Sequence, residues 1–139
     1  MKYLVMILCV FSFLNALVYE KSTNIVIDKH NNLMWQDNSE VTEYLETFIT
    51  AKVYCESIIL SGYIDWRVPS INELLKIIDV TQKNAINKKF EYLKPNFYST
   101  SSSFKENTDF VWGVDFQSGK ITKKKKTDAN YIRCVRDII

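Results

Sequence analysis

Apolar and polar positions alternate in several short stretches of this chain, and those stretches predict a mixed set of small elements. Asn24-Ile25-Val26-Ile27-Asp28 is β-branched, Lys29 to Asn32 carries Asn-rich turn chemistry, and Leu33-Met34-Trp35 resumes the apolar pattern, so a β-hairpin is expected. From Thr47 to Leu60 the period lengthens. Phe48, Ala51, Val53, Tyr54 and Ile58 fall largely at helical spacing, with Cys55 on or beside the buried face and Gly62 placed to end the helix. Val68-Pro69 excludes helix at Val68, because the proline ring crowds the residue before it. Ser70 followed by Glu73 makes a capping box for a second helix, Ile71 to about Asp79, whose core face is Leu74, Leu75, Ile77 and Ile78.

Beyond Asp79 a polar, lysine-rich segment to Lys94 reads as a loop with some helical character, docked through Phe90 and Tyr92. Asn96-Phe97-Tyr98-Ser99-Thr100 then has strand propensity and runs into a serine-rich turn at Ser101-Ser102-Ser103. Phe110 to Phe116 alternates like a strand, Gln117-Ser118-Gly119-Lys120 is a hairpin turn, and Ile121 to Lys123 begins the return. Tyr131 to Arg136 has period two, with Ile132 and Cys134 on one side and Tyr131, Arg133 and Val135 on the other. A last strand is therefore expected to carry Cys134 back to the first helix.

The amino terminus changes the picture. After Lys2 an apolar run from Tyr3 to Leu14 is shorter than the roughly 20 residues that span a bilayer, and it reads as a secretory signal over residues 1–16, cut around Ala16. The alternative is an uncleaved amino-terminal anchor. Cys9 lies inside this run without a small-residue lipobox and leaves with the signal. The expected product is a single exported domain, residues 17–139, that is periplasmic, cell-surface or secreted and has no transmembrane span. Its two cysteines, Cys55 and Cys134, read as a disulfide because such compartments are oxidising. Lys and Arg number 18 against 16 Asp and Glu, and this near balance, with export, argues against nucleic acid as a partner.

Candidate chemistry is sparse. Gly62 to Asp79 sets Asp65, Trp66 and Arg67 against Pro69, ahead of the Ser70 and Glu73 capping box; an indole beside an ion-pair-capable acid and base reads as a loop fixed against the core, since no nucleophile accompanies them. His30, the single histidine, sits in a predicted turn and reads as solvated. Only three glycines are present, and no phosphate-cradling loop or spaced His and Cys cluster occurs. Of the carboxylates Asp65, Glu73, Asp79, Asp109 and Asp115, Glu73 is explained by capping and the others by turns or strand exteriors, so neither a catalytic pair nor a metal site is assigned. Lys123 to Lys126 beside Lys120 concentrate positive charge, which attracts sulfated or carboxylated polymers unless the run is simply a solvated, mobile hairpin tip. Tyr98, Phe104 and Trp112 offer rings for sugars or a protein partner, the alternative being that they are core.

Leu33-Met34-Trp35-Gln36, Ala51 to Cys55, Gly62 to Leu74, Tyr98 to Ser101, Trp112 to Phe116 and Tyr131 to Arg136, in that order, resemble the DUF1566 family, also called the Lcl carboxy-terminal domain. The resemblance runs from about Ile25 to Asp137 and implies an α+β, C-type-lectin-like fold related to the formylglycine-generating enzyme group. In such folds two helices pack on small, mostly antiparallel sheets, and a disulfide ties the first helix to the last strand. The chain departs from the pattern where Ser99 follows Tyr98 directly, without the tryptophan often found there. It lacks the Glu-Pro-Asn and Trp-Asn-Asp calcium triplets, and bonded cysteines would leave no thiolate for formylglycine chemistry. The expectation is a non-catalytic binding or adhesion module without cofactor, whose partner is an anionic polysaccharide or a surface protein. Its rivals are a structural subunit of an envelope assembly and an enzyme of unrecognised type.

Overall fold

The computed structural model describes residues 19–138, so the expected signal, its cleavage site and Cys9 lie outside the described residues. Among these described residues nine strands form two sheets. The first has the order β1-β2-β3-β9, with β1 Tyr19–Ser22, β2 Ile25–Asp28, β3 Leu33–Gln36 and β9 Val135–Asp137. The second has the order β4-β8-β5-β6-β7, with β4 Leu45–Glu46, β8 Asn130–Tyr131, β5 Phe97–Ser103, β6 Phe110–Asp115 and β7 Lys120–Lys125. All pairings are antiparallel except β5 with β8. Two helices, α1 Phe48–Ser57 and α2 Ile71–Leu75, complete an α+β architecture. No helix among the described residues is long and apolar enough to cross a membrane.

The β2–β3 hairpin appears where it was expected, and all four residues of β3 are buried. The reason is a core on each face of the first sheet. Val26, Leu33 and Trp35 pack with Leu74, Ile77, Tyr98, Val114 and Phe116, whereas Ile25 and Met34 pack with Ala51, Cys55, Trp66, Ile132 and Cys134. Both helix starts are as read: Thr47 caps α1 in a reciprocal box with Thr50, and Ser70 caps α2 with Glu73.

Both helices are shorter than expected. In α1 only Ala51 and Cys55 are buried, one turn apart, while Val53 stands exposed, so the apolar stripe is a narrow seam. The chain leaves helical geometry at Ile58. Gly62 is not its cap; it adopts φ +79° in a turn closed by mutual backbone bonds of Leu60 and Tyr63. In α2 the chain abandons the helix after Leu75 because Ile77 and Asp79 pair instead with the loop, Asn87 N–H to Ile77 O at 2.8 Å and Asp79 N–H to Ala85 O at 3.0 Å. That loop is pinned by buried Phe90 and half-buried Tyr92.

The expected last strand is two strands in two sheets. β8 ends at Tyr131 and β9 begins at Val135; between them Ile132, Arg133 and Cys134 are all buried, so the two-sided alternation does not hold. Cys134 gives its carbonyl to Gln36 N–H at 2.9 Å and its N–H to Gln36 Oε1 at 3.0 Å. Cys134 is bonded to Cys55, their Cα atoms 5.6 Å apart, so the crossing residue and α1 are covalently joined.

Candidate functional site

In the Asp65-Trp66-Arg67 stretch, Trp66 is held by the core and Arg67 by α2. Trp66 is buried and its indole N–H donates to Tyr63 O at 2.9 Å. Arg67 turns away from Asp65, which is exposed at φ +68°, and grips Glu73 through two bonds of 2.7 Å, with Asp137 Oδ1 at 3.0 Å. Glu73 also accepts Ser70 N–H at 2.9 Å. Burial alone would push the Glu73 carboxyl up, but Arg67 and Ser70 outweigh it and hold the carboxyl below its ordinary value. A carboxylate depressed in the folded state stabilises above its unfolded pKa, near 4.3, and that contribution disappears as pH falls through the lower folded value. Glu73→Gln is therefore expected to lower stability at pH 7 and to flatten the loss of stability below about pH 4. Urea midpoints measured from pH 3 to 7 check this; parallel curves for the two proteins would exclude it.

Of the other carboxylates, Asp79 binds the Thr81 N–H and hydroxyl, and Asp115 binds Gln117 N–H. His30 is exposed in the β2–β3 turn. Among the described residues no three His, Cys, Asp or Glu side chains are grouped as a metal site would need.

The lysine run has a different form. It is not a mobile tip: Lys120, Lys123, Lys124 and Lys125 belong to β7, and Lys126 continues it by giving N–H to Asp109 O at 2.8 Å. Pairing with β6 sets Phe110 opposite Lys125, Trp112 opposite Lys123 and Val111 opposite Lys124. Since directly opposed residues share a face, Lys123 and Lys125 lie over the aromatic side and Lys124 over the reverse. Lys123 Nζ sits 3.5 Å from the centre of the Phe104 ring and 5.6 Å from that of Phe110, and Phe104 meets Trp112 edge-to-face at 5.1 Å. On the reverse face Lys124 lies 4.9 Å from the Phe97 ring, and Lys126 lies 4.5 Å from that of Phe48. Each ring attracts its ammonium through the negative π face and narrows the rotamers the lysine samples.

Among the described residues none of the ion pairs includes these five lysines. A chain of formal net charge +2 with five lysines on one edge carries −3 on everything else. The edge is thus a local positive field on an otherwise acidic molecule.

Of the sequence-derived ring candidates, Phe104 and Trp112 are half-buried beside Lys123, whereas Tyr98 is fully buried and its hydroxyl donates to Val41 O at 2.6 Å. Tyr98 is core and is closed to a ligand from solvent. Phe48, Phe97 and Phe110 were missed as ring partners, although the aromatic alternation of β6 and the short hairpin turn were a sufficient signal for Phe110. Beside the edge, clefts of about 420 Å³ open at Thr47, Phe48, Ile49, Lys126 and Thr127, and at Asp109, Phe110, Lys125, Lys126 and Thr127. A third cleft, also of about 420 Å³, lies between α1 and Arg67 and shares Phe48 with the first.

Two small sheets, two short helices and a surface whose chief chemical feature is a ring-backed basic edge define a disulfide-bonded α+β domain. Residues 24–136 match the Lcl C-terminal domain, and the chain belongs to that family. No curated protein matches it.

Proposed function

We propose that the protein is an exported, non-catalytic binding module, C-type-lectin-like in its frame, that holds an anionic surface polymer or protein through the lysine edge of β7. The observation that carries this reading is the set of five lysines without an acidic partner among the described residues, three of them seated on aromatic rings. Seated ammonium groups lose less freedom when they meet an anion, which lowers the entropic cost of binding. Export is supported by the apolar amino-terminal run and by the Cys55–Cys134 bond, which suits an oxidising compartment. Lysines also keep exposed edge strands from pairing at random, and that protective role is compatible with binding.

The test is titration of the protein with a sulfated polysaccharide and with polyglutamate at rising salt. Binding should weaken by about ten-fold or more between roughly 0.05 and 0.5 M NaCl, because exposed charges are screened over a few ångströms at high ionic strength. Replacing Lys123, Lys124, Lys125 and Lys126 together by Gln should remove it while leaving the circular dichroism unchanged. Salt-independent binding, or none to either polymer, would dismiss the reading. A structural role in an envelope assembly is the second reading, favoured by Ile49 and Val53, exposed a turn apart on α1, and would then lead.

A further inference from the structure

The geometry points to the open side of β7 as a docking edge for an extended, acidic segment of another protein, which would join the five-stranded sheet as one more strand. This rests on the reading of the lysine edge as a site for anionic partners, and it assigns that partner a backbone as well as a charge.

The second sheet ends in β4 on one side and β7 on the other; β4 has two residues and β7 has six. Which backbone groups β7 presents follows from its register. The bond from Lys126 N–H to Asp109 O makes that pair hydrogen-bonded, so Lys124, Thr122 and Lys120, two residues apart, also turn their amides and carbonyls toward β6. Ile121, Lys123 and Lys125 therefore turn theirs outward. Lys125 O accepts Asp128 N–H at 3.0 Å, which leaves the N–H and C=O of Ile121 and Lys123 and the N–H of Lys125. Among the described residues no backbone bond outside the ladder reaches Ile121 or Lys123. This is a row of donors and acceptors at strand spacing, the geometry by which a peptide adds to a sheet edge.

Charge selects the occupant. An added strand sends successive side chains to opposite faces, and β7 offers ammonium groups on both, Lys123 and Lys125 on one and Lys124 on the other. An incoming segment matches this with consecutive acidic residues; an alternating acidic and apolar strand would satisfy only one face. Exposed Ile121 then sets an apolar contact at the end of the acidic run. The same lysines repel basic strands and keep neutral ones away, so the edge is closed to indiscriminate pairing and open to a complementary strand.

The experiment is fluorescence anisotropy with a labelled ten-residue peptide built around a Glu-Asp-Glu-Asp run. Two further peptides carry backbone N-methyl groups on the odd or on the even amides. The parent peptide should bind, and one of the two methylated sets should bind about ten-fold more weakly, because only one set of amides faces β7. Ile121→Pro keeps all five lysines and removes an N–H that the ladder does not use, a position where edge strands accept proline. It should weaken the parent peptide to a similar extent while leaving the sulfated polysaccharide bound as before. Equal binding of all three peptides, or polysaccharide binding without peptide binding, overturns the added strand and leaves the anionic-partner reading intact. Loss of both polymer and peptide binding by wild-type protein sinks the two together. Should Ile121→Pro misfold, the methylated pair on wild-type protein decides alone.

Discussion

Asp37→Ala is expected to lower the unfolding free energy by about 3–5 kcal/mol, the usual cost of stranding one member of a buried ion pair. Asp37 and Arg133 are both fully buried, with Arg133 Nη1 3.1 Å from Asp37 Oδ1. Arg133 also donates to the carbonyls of Gln36 and Tyr92. Asp37 in turn accepts the N–H of Glu91 at 2.9 Å and of Tyr92 at 3.1 Å, and binds Lys21. Burial would push its carboxyl up, yet Arg133, Lys21 and the two amides together hold it below the ordinary carboxylate range. Truncation at Asp37 leaves the buried Arg133 guanidinium with its two carbonyls but no counter-ion, and the partly buried amides of Glu91 and Tyr92 without their acceptor. Since a domain of this kind has about 5–15 kcal/mol in all, the loss is a large share of its stability. The double variant Asp37→Leu with Arg133→Met should not recover it, because the amides of Glu91 and Tyr92 stay unpaired. Urea denaturation followed through the buried Trp35 and Trp66 measures both; a cost below about 1 kcal/mol for the single variant would show that the pair is not what holds the 91–92 loop.

The second large effect is on the disulfide. Cys55 and Cys134 are 79 residues apart, and closing a ring of that length restricts the unfolded chain by about 4 kcal/mol. The folded side depends on the bond as well. The fully buried seam of α1 is only Ala51 and Cys55, helped by half-buried Tyr54, whose hydroxyl accepts from Gln36 Nε2 at 2.8 Å, so the bond is a large share of what fastens the helix to the sheet. Replacing both cysteines by alanine should lower the melting temperature by about 15 °C or more. Dithiothreitol should do the same to wild-type protein and nothing further to the variant. Equal melting with and without reductant would mean that the bond does not contribute.

Features governed by neighbours in sequence were legible. The hairpins β2–β3 and β6–β7 carry their turn chemistry locally, and the Ser70–Glu73 capping box needs only residues three apart, whereas the equally local Thr47–Thr50 box was missed. The cysteine pair followed from its even number and the export expected from the amino-terminal run. What was not legible depends on long-range partners. The early end of α2 is set by Asn87 and Ala85, and the division of the last strand by Gln36 and the two sheets it separates. Arg67 was read as ion-pair-capable without a named partner, and its partners Glu73 and Asp137 come from α2 and β9. At the site the return strand was legible from Ile121 to Lys123, but its continuation through Lys124 and Lys125 was visible only as charge, because that order comes from pairing with β6. Tyr98 offered a ring whose burial no local pattern reveals, since both faces of β5 at Phe97 and Tyr98 are covered.

One backbone bond has a mechanical meaning. The first amide of α1, Phe48 N–H, is held by Lys126 O at 3.0 Å, and further along the same helix Cys55 is bonded to Cys134. Tension applied where β7 ends therefore passes through a helix axis into a covalent link and on to the centre of the molecule.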